Sequence, residues 1–240
     1  MALPKLSVVI PAFNEERFIK KVLEKVASTE LKGLDKEIIV VDDCSKDTTA
    51  AEVASFITEN PTISVRLVRH AINQGKGAAV KTGFTEATGD FVVVQDADFE
   101  YDPNDYELLI TPLLNGAADA VYGSRFIGSK PHRVLFFYHY IANKFLTFLS
   151  NVFTNLNLTD METGYKAFRT SVIRQIDLKE KSFGFEPEIT AKVSRIKGIR
   201  IYEVGISYYG RTYEEGKKIN WTDGVKAMYY IIKYNTWARK

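Results

Sequence analysis

Two hydrophobic periods alternate along the first half of the chain. Leu6-Ser-Val-Val-Ile10 is a short apolar run of strand length and predicts a buried strand. Behind it Asn14 can cap a helix whose apolar positions Phe18, Ile19, Val22, Leu23 and Val26 recur at steps of three and four. Glu37-Ile-Ile-Val-Val41 predicts the next strand, with Ser45 as the cap of the helix after it. Val65-Arg-Leu-Val68 predicts a third strand, followed by a helix from about Gly77 to Ala87. Phe91 to Val94 is the fourth strand, Asp102-Pro103 marks a first helical turn, and Ala120-Val-Tyr122 is the fifth strand. β-Branched strands separated by amphipathic helices predict an α/β fold, with a mostly parallel, Rossmann-like sheet covered by helices on both faces.

The pattern changes after Gly128-Ser-Lys-Pro131, the best internal boundary, which divides the chain into halves 1–128 and 129–240 of one domain. Residues 133–153 are dense in aromatics but punctuated by His139, Asn143, Lys144 and Asn151. Phe137, Ile141, Phe145, Phe148 and Val152 mark one helical face. Such a helix either lies in a lipid interface or covers the protein's own sheet. His132 and His139 in this segment read as packing or surface histidines.

Charge sharpens the division. Residues 1–128 hold 13 Lys and Arg against 20 Asp and Glu, whereas residues 192–240 hold 11 against 4. An acidic front and a basic rear suggest an anionic partner for the second half. An anionic membrane surface suits this better than nucleic acid, because no recognition-helix or aromatic RNA-binding pattern is present. The basic stretch from Tyr229 to Lys240 adds a second contact for anionic headgroups. Cys44 is the only cysteine of 240 residues, so neither an intrachain disulfide nor a cysteine-based zinc site can form. No secretory signal is evident at the N-terminus and no stretch of eighteen apolar residues occurs, so a cytoplasmic protein peripheral to the membrane is expected.

In open parallel sheets ligands bind beyond the carboxyl ends of the strands. The first strand ends in Pro11-Ala-Phe-Asn-Glu15, the second in Asp42-Asp43, and the fourth in Gln95-Asp-Ala-Asp-Phe-Glu100. Three strands thus bring carboxylates to one rim, where they repel each other unless a divalent cation and a hydroxyl-bearing ligand compensate them. Asp96 and Asp98 can turn toward one hard cation, with Glu100 as a third oxygen. A lone Asp-x-Asp is usually only a solvated turn; its place at the end of a strand changes that. Gly75-Lys76-Gly77 at a helix start adds a cation and a helix N-terminus suited to phosphate. The spacing is neither a Walker loop nor a dinucleotide fingerprint. Together these features suit a nucleoside diphosphate that carries another group.

At these residues the chain resembles the family 2 glycosyltransferases of the GT-A fold, and among them the dolichyl- and polyprenyl-phosphate sugar synthases. The matching segments are Val9-Ile-Pro-Ala-Phe-Asn-Glu15, Val41-Asp-Asp-Cys-Ser-Lys-Asp-Thr48, Asn73-Gln-Gly-Lys-Gly77 and Gln95-Asp-Ala-Asp98. Tyr122-Gly-Ser-Arg125, Thr163-Gly-Tyr-Lys166, Gly210-Arg211 and Gly216-Lys-Lys218 follow. The resemblance implies a nucleotide pocket formed by Pro11, Phe13, Glu15 and Asp42 or Asp43, with Lys76 and Gln95 also in the cofactor-binding set. It implies Mg²⁺ or Mn²⁺ on Asp96 and Asp98, with Glu100 where relatives often carry Gln. It also implies a catalytic set of Asp98, Arg125, Arg211 and Lys217 acting on the diphosphate and the acceptor phosphate. Cys44 stands where the family commonly has Gly, which bears on the local turn.

The implied reaction moves a hexose from GDP-mannose, UDP-glucose or another nucleotide sugar to a polyprenyl phosphate, with inversion. Membrane contact would be peripheral or through a separate membrane subunit. An acceptor phosphate is already anionic, so a strong general base is optional; Asp160 and Glu162 are the candidates if one is used. Two other readings stand beside this one: a soluble saccharide acceptor, and a nucleotide-sugar-binding module without turnover. A nucleotidylyltransferase is disfavoured, since no Gly-rich, Arg-containing loop follows the first strand.

Overall fold

The elements run β1 (Lys5–Ala12), α1 (Ile19–Ser28), β2 (Asp35–Asp42), α2 (Thr49–Glu59), β3 (Val65–Arg69), α3 (Lys76–Glu86) and β4 (Phe91–Val94). A 3₁₀ turn at Pro103–Asp105 leads into α4 (Tyr106–Leu114), then β5 (Ala120–Ser124) and α5 (Phe137–Thr154). The chain continues through β6 (Lys166–Arg169), α6 (Thr170–Ile173), α7 (Phe185–Val193), β7 (Ile201–Gly205) and α8 (Trp221–Asn235). The structure is a computed structural model that describes residues 3–128, 130, 133, 134, 136–182, 184–212 and 221–239.

The strands form one sheet in the order β3-β2-β1-β4-β6-β5-β7. All pairs are parallel except those of β6, which runs antiparallel to both β4 and β5. The sheet is therefore mostly parallel, as the alternating pattern predicts, and it continues across residue 128. Val8 pairs with Ile38 and with Val93, so side chains of one parity share a face. Val8, Ile10, Ile38, Val40 and Val93 pack under α1, α2 and α4, whereas Val9, Ile39, Val41, Val92 and Val94 pack under α3 and α7. Burial on both faces is why these strands read as continuous apolar runs.

Two predicted caps are corrected. Asn14 has a φ of 53° and α1 begins only at Ile19; α2 begins at Thr49 rather than behind Ser45. The two residues bond each other's loops instead. The Asn14 N–H donates to Ser45 Oγ at 3.0 Å, and the Lys46 N–H donates to Asn14 Oδ1 at 2.9 Å. The loops leaving β1 and β2 are thereby tied together at the rim of the sheet. The Asp102-Pro103 turn is as expected, with the Asp102 carboxylate accepting from the Asn104 N–H.

Helix α5 buries a different face of the aromatic segment from the one its periodicity marks. Leu146, Thr147 and Ser150 are its buried side chains, and Leu146 clusters with Met161 and with Ala227 and Ile231 of α8. The predicted apolar face points outward: Phe137, Ile141, Phe145, Phe148 and Val152 are all exposed, Phe137 by 67%. It does not cover the sheet. Trp237 and Tyr229 are exposed as well. Among the described residues no helix is long and apolar enough to cross a membrane.

Candidate active site

Because β1, β2 and β4 are parallel, their carboxyl ends open on one edge, and a cleft of about 1410 Å³ lies there. Pro11, Phe13, Glu15, Asp43, Lys76, Asp96, Asp98 and Glu100 line it from the first half of the chain. Arg125 lines it from the first half as well, Glu162, Glu186 and Arg211 line it from the second, and α5 and the start of α8 extend the wall outward. Three residues at this rim, Asn14, Cys44 and Phe99, adopt positive φ without being glycine. Each follows one of the three strands, and such backbone strain concentrates at functional sites. Cys44 takes the conformation glycine favours, with φ at 63°.

The two aspartates after β2 do not present free carboxylates. Asp42 is fully buried, accepting from the Ser45 N–H at 3.1 Å and from Arg69 Nε at 3.1 Å. Asp43 accepts from the Gln74 and Gly75 N–H groups at 2.8 and 2.6 Å, and His70 Nδ1 lies 2.7 Å from it. Asp43 thus shapes the turn at residues 73–76 and still reaches the cleft wall; Asp42 does not. Gln95 also departs from expectation. It is fully buried, and its Oε1 accepts from Tyr106 and Tyr165 at 2.7 and 2.5 Å, away from the cleft. His70, Tyr106 and Tyr165 carry no sequence signal for these roles, which only the packing assigns.

The start of α3 is not the open phosphate site the Gly-Lys-Gly pattern suggested. The Ala78 N–H donates to the Lys181 carbonyl at 3.3 Å. A Cβ on Gly75 or Gly77 would clash with the carbonyls of Lys181 and Glu180. These glycines serve close backbone approach. Lys76 itself points at the acidic pair, 2.7 Å from Asp96 Oδ1. Burial alone would lower its pKa, but Asp96 and Glu186 outweigh burial and hold the ammonium above the usual lysine value.

Asp98 meets Arg211 at 2.9 Å, and Glu100 accepts from the Arg211 N–H at 2.8 Å and from Tyr208 Oη at 3.0 Å. Burial, together with the charges of Asp96 and Glu100, pushes Asp98 up to about 7. Crowded, desolvated carboxylate oxygens of this kind fit a hard divalent cation. Glu100 differs from the expected third ligand, since its oxygens turn to Arg211 and Tyr208. Among the described residues no three His, Cys, Asp or Glu side chains converge as a metal cage. A cation here would rely on Asp96, Asp98 and oxygens of its ligand. Asp96 needs the room beside it, because a Cβ on Gly164 would come within 2.5 Å of its Oδ2.

The candidate bases separate cleanly. Asp160 is fully buried and holds Arg125 in a two-point grip, Nε to Oδ2 at 2.6 Å and Nη2 to Oδ1 at 2.7 Å. The Arg125 guanidinium also lies 5.2 Å from the Tyr208 ring centroid. Glu162 instead faces the cleft with Oε1 buried and without a hydrogen-bond partner among the described residues. Burial and the nearby Glu186 push it up to about 7, against the pull of Lys166 and Arg125. Lys217 lies outside the described residues, as does His132. His139 lies on α5 at the cleft wall, its ring 5.4 Å from that of Phe136.

Residues 7–177 match the sequence model of glycosyl transferase family 2. The chain is 29% identical over 233 residues to a dolichol-phosphate mannosyltransferase of Pyrococcus furiosus, covering 96% of this chain and 64% of that protein. It is 30% identical to a dolichyl-phosphate beta-glucosyltransferase of Trichomonas vaginalis, covering 95% and 72%. It therefore spans less than two thirds of the length of the P. furiosus relative. Among solved structures, glucosyl-3-phosphoglycerate synthase of Mycobacterium tuberculosis, crystallised with Mn²⁺, UDP and phosphoglyceric acid, superposes with a TM-score of 0.73 at 20% identity, covering 97% and 79%. That likeness is one of fold, and the fold is GT-A.

Proposed function

The chain belongs to glycosyl transferase family 2, and from that premise we propose that it moves a hexose from a nucleoside-diphosphate sugar to a polyprenyl phosphate at a membrane surface. One observation carries the reading. A single cleft runs from the aspartates after β4 to the exposed aromatic face of α5 and the start of α8. Its inner end suits a charged donor and its outer end an apolar chain. The names of the two relatives, both dolichyl-phosphate sugar transferases, support the same acceptor class.

In this reading Pro11, Phe13, Glu15 and Asp43 form the nucleotide wall. A divalent cation, Mg²⁺ or Mn²⁺, held by Asp96 and Asp98 would supply Lewis-acid neutralisation of the departing diphosphate. Lys76 and Arg211, now paired with the same two aspartates, bring fixed positive charge to that end of the cleft. Arg125 is positioned by Asp160 to hold the acceptor phosphate, and the grip removes the entropy cost of ordering it at each turnover. A phosphate oxygen attacks the anomeric carbon as the bond to the diphosphate oxygen breaks, so the nucleoside diphosphate leaves with the electron pair and configuration inverts. The acceptor is already ionised, so no side chain must remove a proton from it.

Purified protein is to be incubated with radiolabelled GDP-mannose or UDP-glucose, Mn²⁺ or Mg²⁺, and a short polyprenyl phosphate. Label is expected in the organic phase with one of the donors, and Asp98→Ala is expected to lower its rate by at least about 100-fold. Transfer to a free sugar with every lipid inert would replace this reading by one with a soluble acceptor. Nucleotide binding without turnover would replace it by a binding module.

A further inference from the structure

We infer that Glu162 accepts a hydrogen bond from a hydroxyl of the hexose on the donor, and is thereby a specificity-determining residue for the transferred sugar; the inference rests on the donor reading above. Its Oε1 is the buried side-chain oxygen left without a hydrogen-bond partner among the described residues, on a wall it shares with Lys76, Asp96 and Glu186. A buried acceptor left unmet is costly, and the cost is relieved when a ligand donates to it.

The described cations that act on Glu162, Lys166 and Arg125, are hydrogen-bonded elsewhere. Lys166 donates to Glu186 and to the Thr163 carbonyl, and Arg125 grips Asp160 at two points. The peptide on either side is fixed as well. Asp160 is bound on one side, and on the other the Gly164 N–H donates to Tyr101 Oη at 2.9 Å. The backbone that carries Glu162 is therefore anchored on both sides.

The chemistry of the missing partner follows from which groups have a proton to donate. Glu186 and Asp160 act on Glu162 against Lys166 and Arg125, and ionised diphosphate or phosphate oxygens, acceptors like the carboxylate itself, have no proton to give its unmet oxygen. A neutral hydroxyl has one: it donates to the carboxylate and brings no charge. The hexose joins the diphosphate, beside Asp96 and Asp98, to the acceptor, beside Arg125, and it is the hydroxyl-rich part of the donor. Sites built to bind a hydroxyl reject analogues lacking it far more strongly than apolar pockets reject a methylene.

Calorimetry with Mn²⁺ present is to compare the wild type with Glu162→Gln and Glu162→Ala, titrating UDP, GDP, UDP-glucose and GDP-mannose. The expected result is a nucleotide Kd within about twofold of wild type and a nucleotide-sugar Kd weakened about 10-fold by Gln and up to about 100-fold by Ala. With donors lacking one hydroxyl each, one analogue is expected to lose affinity for the wild type but not for Glu162→Ala. Unchanged nucleotide-sugar affinity with a fall in kcat alone would overturn the inference in favour of a proton-transfer role. Equal weakening of nucleotide and nucleotide sugar, with a lowered Tm, would overturn it in favour of a structural role. A wild type that binds no nucleotide at all would overturn the donor reading itself, an outcome distinct from both.

Discussion

Asp42, Asp43 and Asp160 are each held by at least two hydrogen-bond donors, whereas Glu162 keeps a buried oxygen with none among the described residues. The difference has a pH signature. A carboxyl raised from 4.5 to about 7 in the folded protein makes the native state bind a proton the unfolded chain has already lost. Relative to a neutral residue at this position, stability is full below about pH 4.5, falls as pH rises through 7, and is level above that. Glu162→Gln is therefore expected to be more stable than wild type at pH 8, by about 1–3 kcal/mol or roughly 2–6 °C in Tm, and equal to it near pH 5. Thermal melts of the two proteins at those pH values check this. A constant difference across pH would contradict it. From sequence, Asp160 and Glu162 were equivalent acids two residues apart; only their partners distinguish them. Cys44, standing where relatives have Gly, put the local turn in question from sequence, and the turn keeps a positive φ all the same.

At the scale of elements, the apolar runs located the five strands of the first half, and Phe91–Val94 has the predicted bounds. The caps at Asn14 and Ser45 failed because their side chains found partners across the two loops rather than along their own helices, a choice local propensity cannot register. β6 and β7 escaped notice for a different reason. Lys166-Ala-Phe-Arg169 opens with a lysine, and Lys166 is buried with Glu186 and the Thr163 carbonyl as its partners. β7 is only partly buried along its length. The α5 face was legible as amphipathic, but its direction was not, since a sheet and a lipid surface ask the same of a sequence. Its exposure yields a prediction at this scale. Replacing Phe148 and Phe153 by Ser is expected to weaken co-sedimentation with anionic phospholipid vesicles by at least about 10-fold while leaving Tm and nucleotide affinity in place. Both side chains are exposed and neither lines the cleft, so undiminished vesicle binding would remove α5 from the membrane contact.

Across the whole molecule, the two halves of the chain contribute opposite parts of one site. The first half supplies the aspartates after β4 together with Lys76 and Arg125, and the second half supplies Arg211, which faces Asp98, and the helices that carry the cleft to the surface. Acidic and basic side chains from both halves therefore meet in one cleft, on a sheet that β5, β6 and β7 extend without a break. The strand-end acids made the cleft's inner end legible. Its outer end depends on α5 meeting α8, a contact between residues some 80 positions apart in sequence, such as Leu146 and Ala227. In the proposed reaction a lipid-borne phosphate, not a hydroxyl, takes the sugar. The most direct measurement compares initial rates of transfer to a polyprenyl phosphate and to the same polyprenol without its phosphate, under one donor and one metal. Transfer to the phosphate alone is the predicted result, and equal transfer to the alcohol would contradict it.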